Sequence, residues 1–161
     1  MQIGELIRRA ARMYGDAPAL VEQERSVSFR EFDAATDRLG NALLAKGLVA
    51  GDRVAILLPN GIECLIVYYA LAKSGLIRVP LHVREALPNH RYKMADSGAR
   101  ALIFGDTAEL DAELLIDANE LNELIANGDA TPCKIDRDLD APLRLGYTGG
   151  TTGEPKAVTL T

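Results

Sequence analysis

The first fifty residues contain two helical patterns separated by a short β-prone region. Apolar residues recur at the spacing of an amphipathic helix at Ile3, Leu6, Ile7, Ala10 and Met13. Residues 19–22 and 26–29 are β-prone runs around a polar turn, which predicts a hairpin. Ser28 and Glu31 have the spacing of a capping box, so we expect a second helix to begin there and to end at Gly47.

From Gly51 onward, apolar strands and helices alternate. Strands are predicted at 54–58, 76–81, 101–104 and 113–117, and helices at 62–72, 88–96 and 120–126. Asn60 is placed to cap the first of these helices, which is apolar on nearly every face and is therefore expected between two layers. Strands separated by helices of this length imply right-handed crossovers. The sequence predicts an α/β fold with a largely parallel sheet covered by helices on both faces.

The composition limits which classes of protein are compatible with this sequence. The 161 residues, 48% hydrophobic and 25% charged, are typical of one globular domain. A net charge of -5 argues against a nucleic-acid surface, which needs a concentrated basic patch. The N-terminal pattern lacks the apolar centre of a signal peptide, and the longest apolar run, 65–72, is shorter than the ~20 residues of a membrane span. We expect a cytoplasmic protein without a membrane span.

Several polar or reactive residues are interpreted as structural. Cys64 and Cys133 lack the spacing of a metal site and are expected to be reduced thiols. His82 and His90 have no nucleophile or second histidine at a useful spacing, which favours surface or packing roles. Residues 127–141 are polar and predict a solvated connector, since their alternating aspartates lack the glycine and glutamate of a calcium loop.

The segment from residue 143 to 161 carries the candidate chemistry. It is predicted to form a strand, a loop and a second strand. The glycines permit positive φ, so that successive N–H groups can surround an anion, while hydroxyls and one ammonium group add further donors. The residues of this candidate polyphosphate site are Thr148, Gly149, Gly150, Thr151, Thr152, Gly153 and Lys156.

Two other interpretations of this loop compete with a polyphosphate site. A Walker A loop requires Gly-Lys followed by Ser or Thr and then a helix, whereas Lys156 here follows Pro155 and precedes a β-prone run. The loop is therefore of a different type. A polar glycine hairpin that binds nothing remains an alternative on the residues alone.

Residues 147–158, YTGGTTGEPKAV, closely resemble the phosphate loop of the AMP-binding superfamily, which includes acyl-CoA synthetases, firefly luciferase and nonribosomal-peptide adenylation domains. Further stretches resemble the same family in the expected order, namely YGDAPALV, GDRVAI, LPN, VPL and ADSGA. The resemblance implies ATP-dependent activation of a carboxylic acid to an acyl-adenylate, followed by transfer to CoA. It also implies that residues 148–153 hold the β- and γ-phosphates and that Lys156 is catalytic, by neutralising their charge.

The chain departs from the family pattern in four places. Gly149 stands where serine is usual, and Ala157 where glycine is usual. Arg78 interrupts an apolar strand, which predicts either an edge strand or a buried partner. The interval from Phe104 to Leu114 is short for the usual helix and strand, so one layer is expected to be trimmed.

The resemblance also places much of the active site outside this chain. A magnesium-binding glutamate, the acyl pocket and a C-terminal domain with a catalytic lysine are expected downstream of Thr161. Residues 1–161 are therefore expected to be the N-terminal portion of the large domain, truncated after the phosphate loop and inactive alone. The alternatives are a peptide-synthetase adenylation domain, or a short nonenzymatic module that binds a nucleotide or a partner.

Overall fold

The computed structural model describes residues 3–106, 109–133, 135, 138, 140–148 and 155–161. The helices are α1 (Ile3–Tyr14), α2 (Phe29–Ala45), α3 (Ile62–Lys73), α4 (Leu87–Ser97) and α5 (Ala118–Asn127). The strands are β1 (Pro18–Glu22), β2 (Arg25–Ser28), β3 (Arg53–Leu57), β4 (Ile77–Pro80), β5 (Ala101–Phe104), β6 (Leu114–Ile116), β7 (Arg144–Tyr147) and β8 (Ala157–Leu160).

Local signals in the sequence set most of these boundaries. Ser28 and Glu31 form both hydrogen bonds of the predicted capping box at the start of α2. Gly47, just after α2, has a φ of 95°, a conformation that a side chain would disfavour. The predicted cap at Asn60 is wrong, because Gly61 occupies the N-cap position of α3 and no side chain caps that helix.

The main sheet has the strand order β6-β5-β3-β4-β7-β8. Neighbouring strands from β6 to β7 are parallel, and β8 pairs antiparallel with β7. The hairpin of β1 and β2 forms a separate antiparallel sheet. Helices cover both faces of the main sheet, so the predicted α/β class is confirmed.

Two apolar cores lie on opposite faces of the main sheet. The larger core joins the sheet to α1, α2, α3 and α5, and its most buried members include Leu39, Leu43 and Val67. The smaller core lies under α4 and contains Val79, Met94, Leu102 and Leu110. Helix α3 contacts α2 on one side and β4 on the other, which explains why it is apolar nearly all round.

Arg78 lies in β4, between β3 and β7, so the edge-strand alternative is excluded. Its guanidinium carbon lies 4.9 Å from the centre of the Tyr68 ring on α3, a cation–π distance. The partly buried Tyr68 ring therefore covers one face of its guanidinium.

The connection from β5 to β6 is shorter than the dozen or more residues usual between parallel strands. Its described residues, 105, 106 and 109–113, contain no helix, in agreement with the predicted trimming. Leu110 is 5% exposed and packs into the core under α4, so a single side chain fills space at this corner of the sheet.

The connector after α5 is anchored more firmly than the sequence suggests. Cys133 is 4% exposed; its N–H donates to Asp37 Oδ1 over 3.1 Å, and its carbonyl accepts from Arg8. The Asn41 amide donates to two further carbonyls of the connector. The prediction of a solvated linker is therefore wrong around Cys133. Positions 134, 136, 137 and 139 lie outside the described residues, and both cysteines are free thiols as expected.

A buried ionic cluster ties α1, α2, α3 and this connector together. The ammonium of Lys73, whose side chain is fully buried, donates to Asp33 Oδ1 at 2.5 Å and to Asp37 Oδ1 at 2.9 Å. Arg8 Nη2 reaches the same Asp37 oxygen at 3.3 Å. We call these four residues the Lys73 cluster. Every charge in it has an opposite partner.

Candidate phosphate-binding site

The candidate loop emerges from a hairpin at the carboxyl end of β7. The two strands of this hairpin are in register up to Tyr147, which pairs with Ala157. Beyond this pair, the Thr148 N–H donates to the Lys156 carbonyl over 3.1 Å. The base of the loop is thus closed by backbone hydrogen bonds.

The structure brings the two described members of the predicted site together. The Thr148 hydroxyl lies 3.4 Å from the Lys156 carbonyl, a long contact, and both residues are exposed. Since its backbone is tied to Thr148 while its side chain is in solvent, Lys156 can reorient its ammonium group without disturbing the hairpin. The other predicted members, Gly149, Gly150, Thr151, Thr152 and Gly153, lie outside the described residues.

Tyr147 fastens the hairpin to α4. Its hydroxyl donates to Asp96 Oδ2 over 2.7 Å and approaches the Lys93 carbonyl at 3.4 Å. Burial, together with this bond to Asp96, raises the pKa of Tyr147 well above its ordinary value. The phenol therefore stays protonated at neutral pH and holds the base of the loop against the helix.

Lys93 supports the same junction from beneath. Its side chain is 5% exposed, and its ammonium donates to both carboxylate oxygens of Glu85 at 2.6 Å. The ammonium also lies 5.6 Å from the centre of the Tyr147 ring. Burial alone would raise the pKa of Glu85, but hydrogen bonding to Lys93 and its positive charge hold that pKa below its usual range.

Sequence reasoning missed this support for the loop. Lys93 and Asp96 are one helical turn apart on α4, a spacing that places both on one side of the helix. This spacing indicates in the sequence that Lys93 and Asp96 act on the same side of α4. It does not indicate that both contact Tyr147. The two histidines follow their predicted roles: His82 is exposed, and His90 is buried with Nε2 2.9 Å from the His82 carbonyl.

The loop lies at the edge of the sheet where open α/β sheets bind ligands. All parallel strands end at this edge, and a cleft of about 670 Å³ opens there between the ends of β3 and β5. Asn60, which was expected to cap α3, lines this cleft together with Gly105 and His90. In the part of the chain that the structure describes, no group of three His, Cys, Asp or Glu side chains could hold a metal ion.

Comparisons with known proteins agree with this geometry. The chain is 32% identical to the long-chain-fatty-acid–CoA ligase FadD13 of Mycobacterium tuberculosis over 99% of its own length and 35% of the relative. It is 36% identical to the feruloyl-CoA synthase of an Amycolatopsis species over 95% of this chain and 32% of that one. It spans about a third of the length of the curated relatives it matches.

Among solved structures, the chain superimposes on the inhibitor-bound N-terminal domain of FACL13 from Mycobacterium tuberculosis with a TM-score of 0.92. The two are 30% identical, and the match covers 99% of this chain and 44% of that one. Among the described residues, no helix has the length and apolar character needed to cross a membrane. The family model for AMP-binding enzymes matches residues 7–161, and the chain belongs to that family.

Proposed function

We propose that residues 1–161 form the N-terminal portion of the large domain of an adenylate-forming acid–CoA ligase. In this proposal the segment between β7 and β8 binds the β- and γ-phosphates of ATP. The observation that carries it is the closed base of the loop, where Thr148 and Lys156 meet at the ligand-binding edge of a parallel sheet. The family membership of the chain supports the same assignment.

The described residues suggest how the loop would act. The Thr148 hydroxyl is available as a donor, and the Lys156 ammonium would neutralise charge that develops on the departing pyrophosphate. Tyr147 and Asp96 would keep the base of the loop in place while ligands bind and leave. Magnesium would further neutralise the phosphates, and we assign its ligands to none of the described residues.

The acid is proposed only as a class. FadD13 is named for long-chain fatty acids and the Amycolatopsis enzyme for a feruloyl group, so aliphatic and aromatic acids both have named relatives. The proposed products are an acyl-adenylate and pyrophosphate, followed by a CoA thioester. Amino-acid activation, as in peptide synthetases, is the second outcome that the same assay would reveal.

The proposal is tested by ATP–pyrophosphate exchange with the complete protein and a panel of aliphatic, aromatic and amino acids. We expect Lys156→Ala to lower the exchange rate by roughly 10²–10³-fold, because removing one preorganised charge-stabilising donor has effects of that size. Lys46→Ala is the matched control, since Lys46 pairs with Glu120 elsewhere on the surface. An unchanged rate in Lys156→Ala would remove that residue from the site.

The 161-residue chain is a separate arm of the test. We expect it to catalyse no exchange by itself, because the acyl pocket is proposed to lie outside it. Turnover by this chain alone would contradict that division of the enzyme. Calorimetric titration with ATP then shows whether the loop binds phosphate without the remaining parts.

A further inference from the structure

Two arginines lie side by side in the interior of the main sheet. Arg78 on β4 and Arg144 on β7 are register partners. Neighbouring strands are about 4.8 Å apart, so the two side chains leave the sheet close together on the same face. That face is the one packed by α3, because the guanidinium of Arg78 lies over Tyr68.

Neither arginine has an anionic partner in the described part of the chain. Arg78 Nε and Arg144 Nε are both buried without a hydrogen-bond acceptor. No carboxylate among the described residues forms an ion pair with either side chain. Burial, and then the positive charge of Arg144, lower the pKa of Arg78. The Tyr68 ring offsets only part of this cost, since its attraction acts on one face of one guanidinium.

The neighbouring surface over β8 is not covered by any of the described residues. Val158 and Leu160 on β8 pair in register with Gly146 and Arg144, so they share a face of the sheet with the arginines. Both apolar side chains are nearly half exposed. The arginine pair therefore lies at the border between the part of this face covered by α3 and the open part over β8.

The pair is separate from the phosphate loop. Arg144 begins β7, and the loop starts beyond Tyr147 at the other end of that strand. The Arg144 guanidinium lies along the strand over Gly146, with its Nε 3.3 Å from where a Gly146 Cβ would stand. The arginines leave the sheet on the face packed by α3, whereas Tyr147, which fastens the loop, packs on the opposite face under α4.

The chemistry of the two guanidinium groups indicates which kind of anionic partner they would bind. Buried charges in proteins are normally paired, and the planar guanidinium fork matches a carboxylate with two parallel hydrogen bonds. We propose that Arg78 and Arg144 form a binding site for one carboxylate group. The carboxylate comes either from a free organic acid or from an Asp or Glu side chain of a further polypeptide segment.

The test uses the NMR signals of the arginine Nε–H groups in the 161-residue chain, titrated with acetate against sodium chloride at constant ionic strength. We expect saturable shifts of the Arg78 and Arg144 signals with acetate only. Arg144→Met should weaken acetate binding at least about tenfold, since a charge-assisted hydrogen bond contributes that much. Arg144→Lys keeps the charge but loses the fork and should also bind more weakly, whereas Arg12→Met, on an exposed part of α1, should bind normally.

Shifts that are linear in acetate, equal with chloride, or retained in Arg144→Met would overturn the proposal. The native, full-length protein distinguishes the two sources of the carboxylate. A saturable acetate shift in that protein indicates a free acid. Signals already at the acetate-bound position, and insensitive to added acetate, indicate a carboxylate from the polypeptide. ATP binding is measured separately, so failure of the phosphate site and failure of this site are distinguishable.

Discussion

Two groups of positively charged side chains, one buried and one partly buried, differ in the partners that surround them. In the Lys73 cluster, a fully buried ammonium lies between two carboxylates, one of which also accepts from Arg8 and from the backbone of Cys133. At the arginine pair, Arg78 and Arg144 lie side by side, and neither forms an ion pair with a described carboxylate; each has a buried Nε without an acceptor, as Arg8 in the Lys73 cluster also has. The two sites lie on the same side of the sheet, so the difference is in local chemistry.

This contrast separates a structural role from a binding role. The Lys73 cluster satisfies its charges within the described residues, so it explains how α1, α2, α3 and the connector are held together. The arginine pair is unsatisfied within them, which is why it is proposed to bind a group from elsewhere. A buried charge by itself therefore does not distinguish a structural role from a ligand-binding role. The presence or absence of oppositely charged partners does.

The largest expected effect comes from Asp37→Ala, which removes the carboxylate shared by Lys73, Arg8 and Cys133. We expect the free energy of unfolding to fall by about 3–5 kcal/mol, because the change leaves buried charge without its partner. Urea unfolding followed by circular dichroism measures the change. Asp16→Ala is the control, since Asp16 pairs with Arg30 on the exposed surface and should change stability little. If both variants lost the same free energy of unfolding, the Lys73 cluster would contribute no more to stability than an exposed ion pair.

Arg144→Met should act in the opposite direction. In the 161-residue chain, without added carboxylates and at low salt, we expect the free energy of unfolding to rise by about 1 kcal/mol. The substitution removes a buried donor that has no acceptor and a positive charge beside Arg78. The same urea experiment measures it. A loss of stability comparable to that of Asp37→Ala would mean that the arginine pair, like the Lys73 cluster, stabilises the fold.

A smaller, pH-dependent effect is expected for Glu85→Gln on the other face of the sheet. The lowered pKa of Glu85 means that its pairing with Lys93 stabilises the fold above the ordinary carboxyl pKa of about 4.3. That stabilisation is lost as pH falls through the lowered value. We expect the variant to be less stable by about 1 kcal/mol at pH 7 and the difference to shrink below about pH 4. Urea unfolding at several pH values follows it; a difference independent of pH would exclude the charge as its source.

Local features of the sequence predicted the fold well. The capping box at Ser28, the terminal Gly47 and the alternation of apolar runs depend on neighbours within a few residues, so they can be recognised without a structure. The hairpin of β7 and β8 was expected for the same reason. Of the candidate site, the sequence indicated Thr148 and Lys156, and the structure places them together.

Contacts between distant residues could not be predicted in this way. Lys73 meets Asp37 across 36 positions, and Tyr147 meets Asp96 across 51. No residue pattern at either end specifies the other. Asn60 failed as a cap because a one-residue offset in the start of α3 placed Gly61 at the N-cap instead. Arg78 was recognised as unusual, but its partners depend on which strands adjoin β4.

Strand β8 forms an open edge of the main sheet in the described part of the chain. It is hydrogen-bonded to β7 alone among the described strands, and its outward positions include Val158 and Leu160. The two cores are built from residues that precede β8 along the chain, so this strand adds little to what holds them together. The unpaired N–H and C=O groups along the free side of β8 are therefore a template on which another strand could pair, and the two half-exposed apolar side chains would favour self-association.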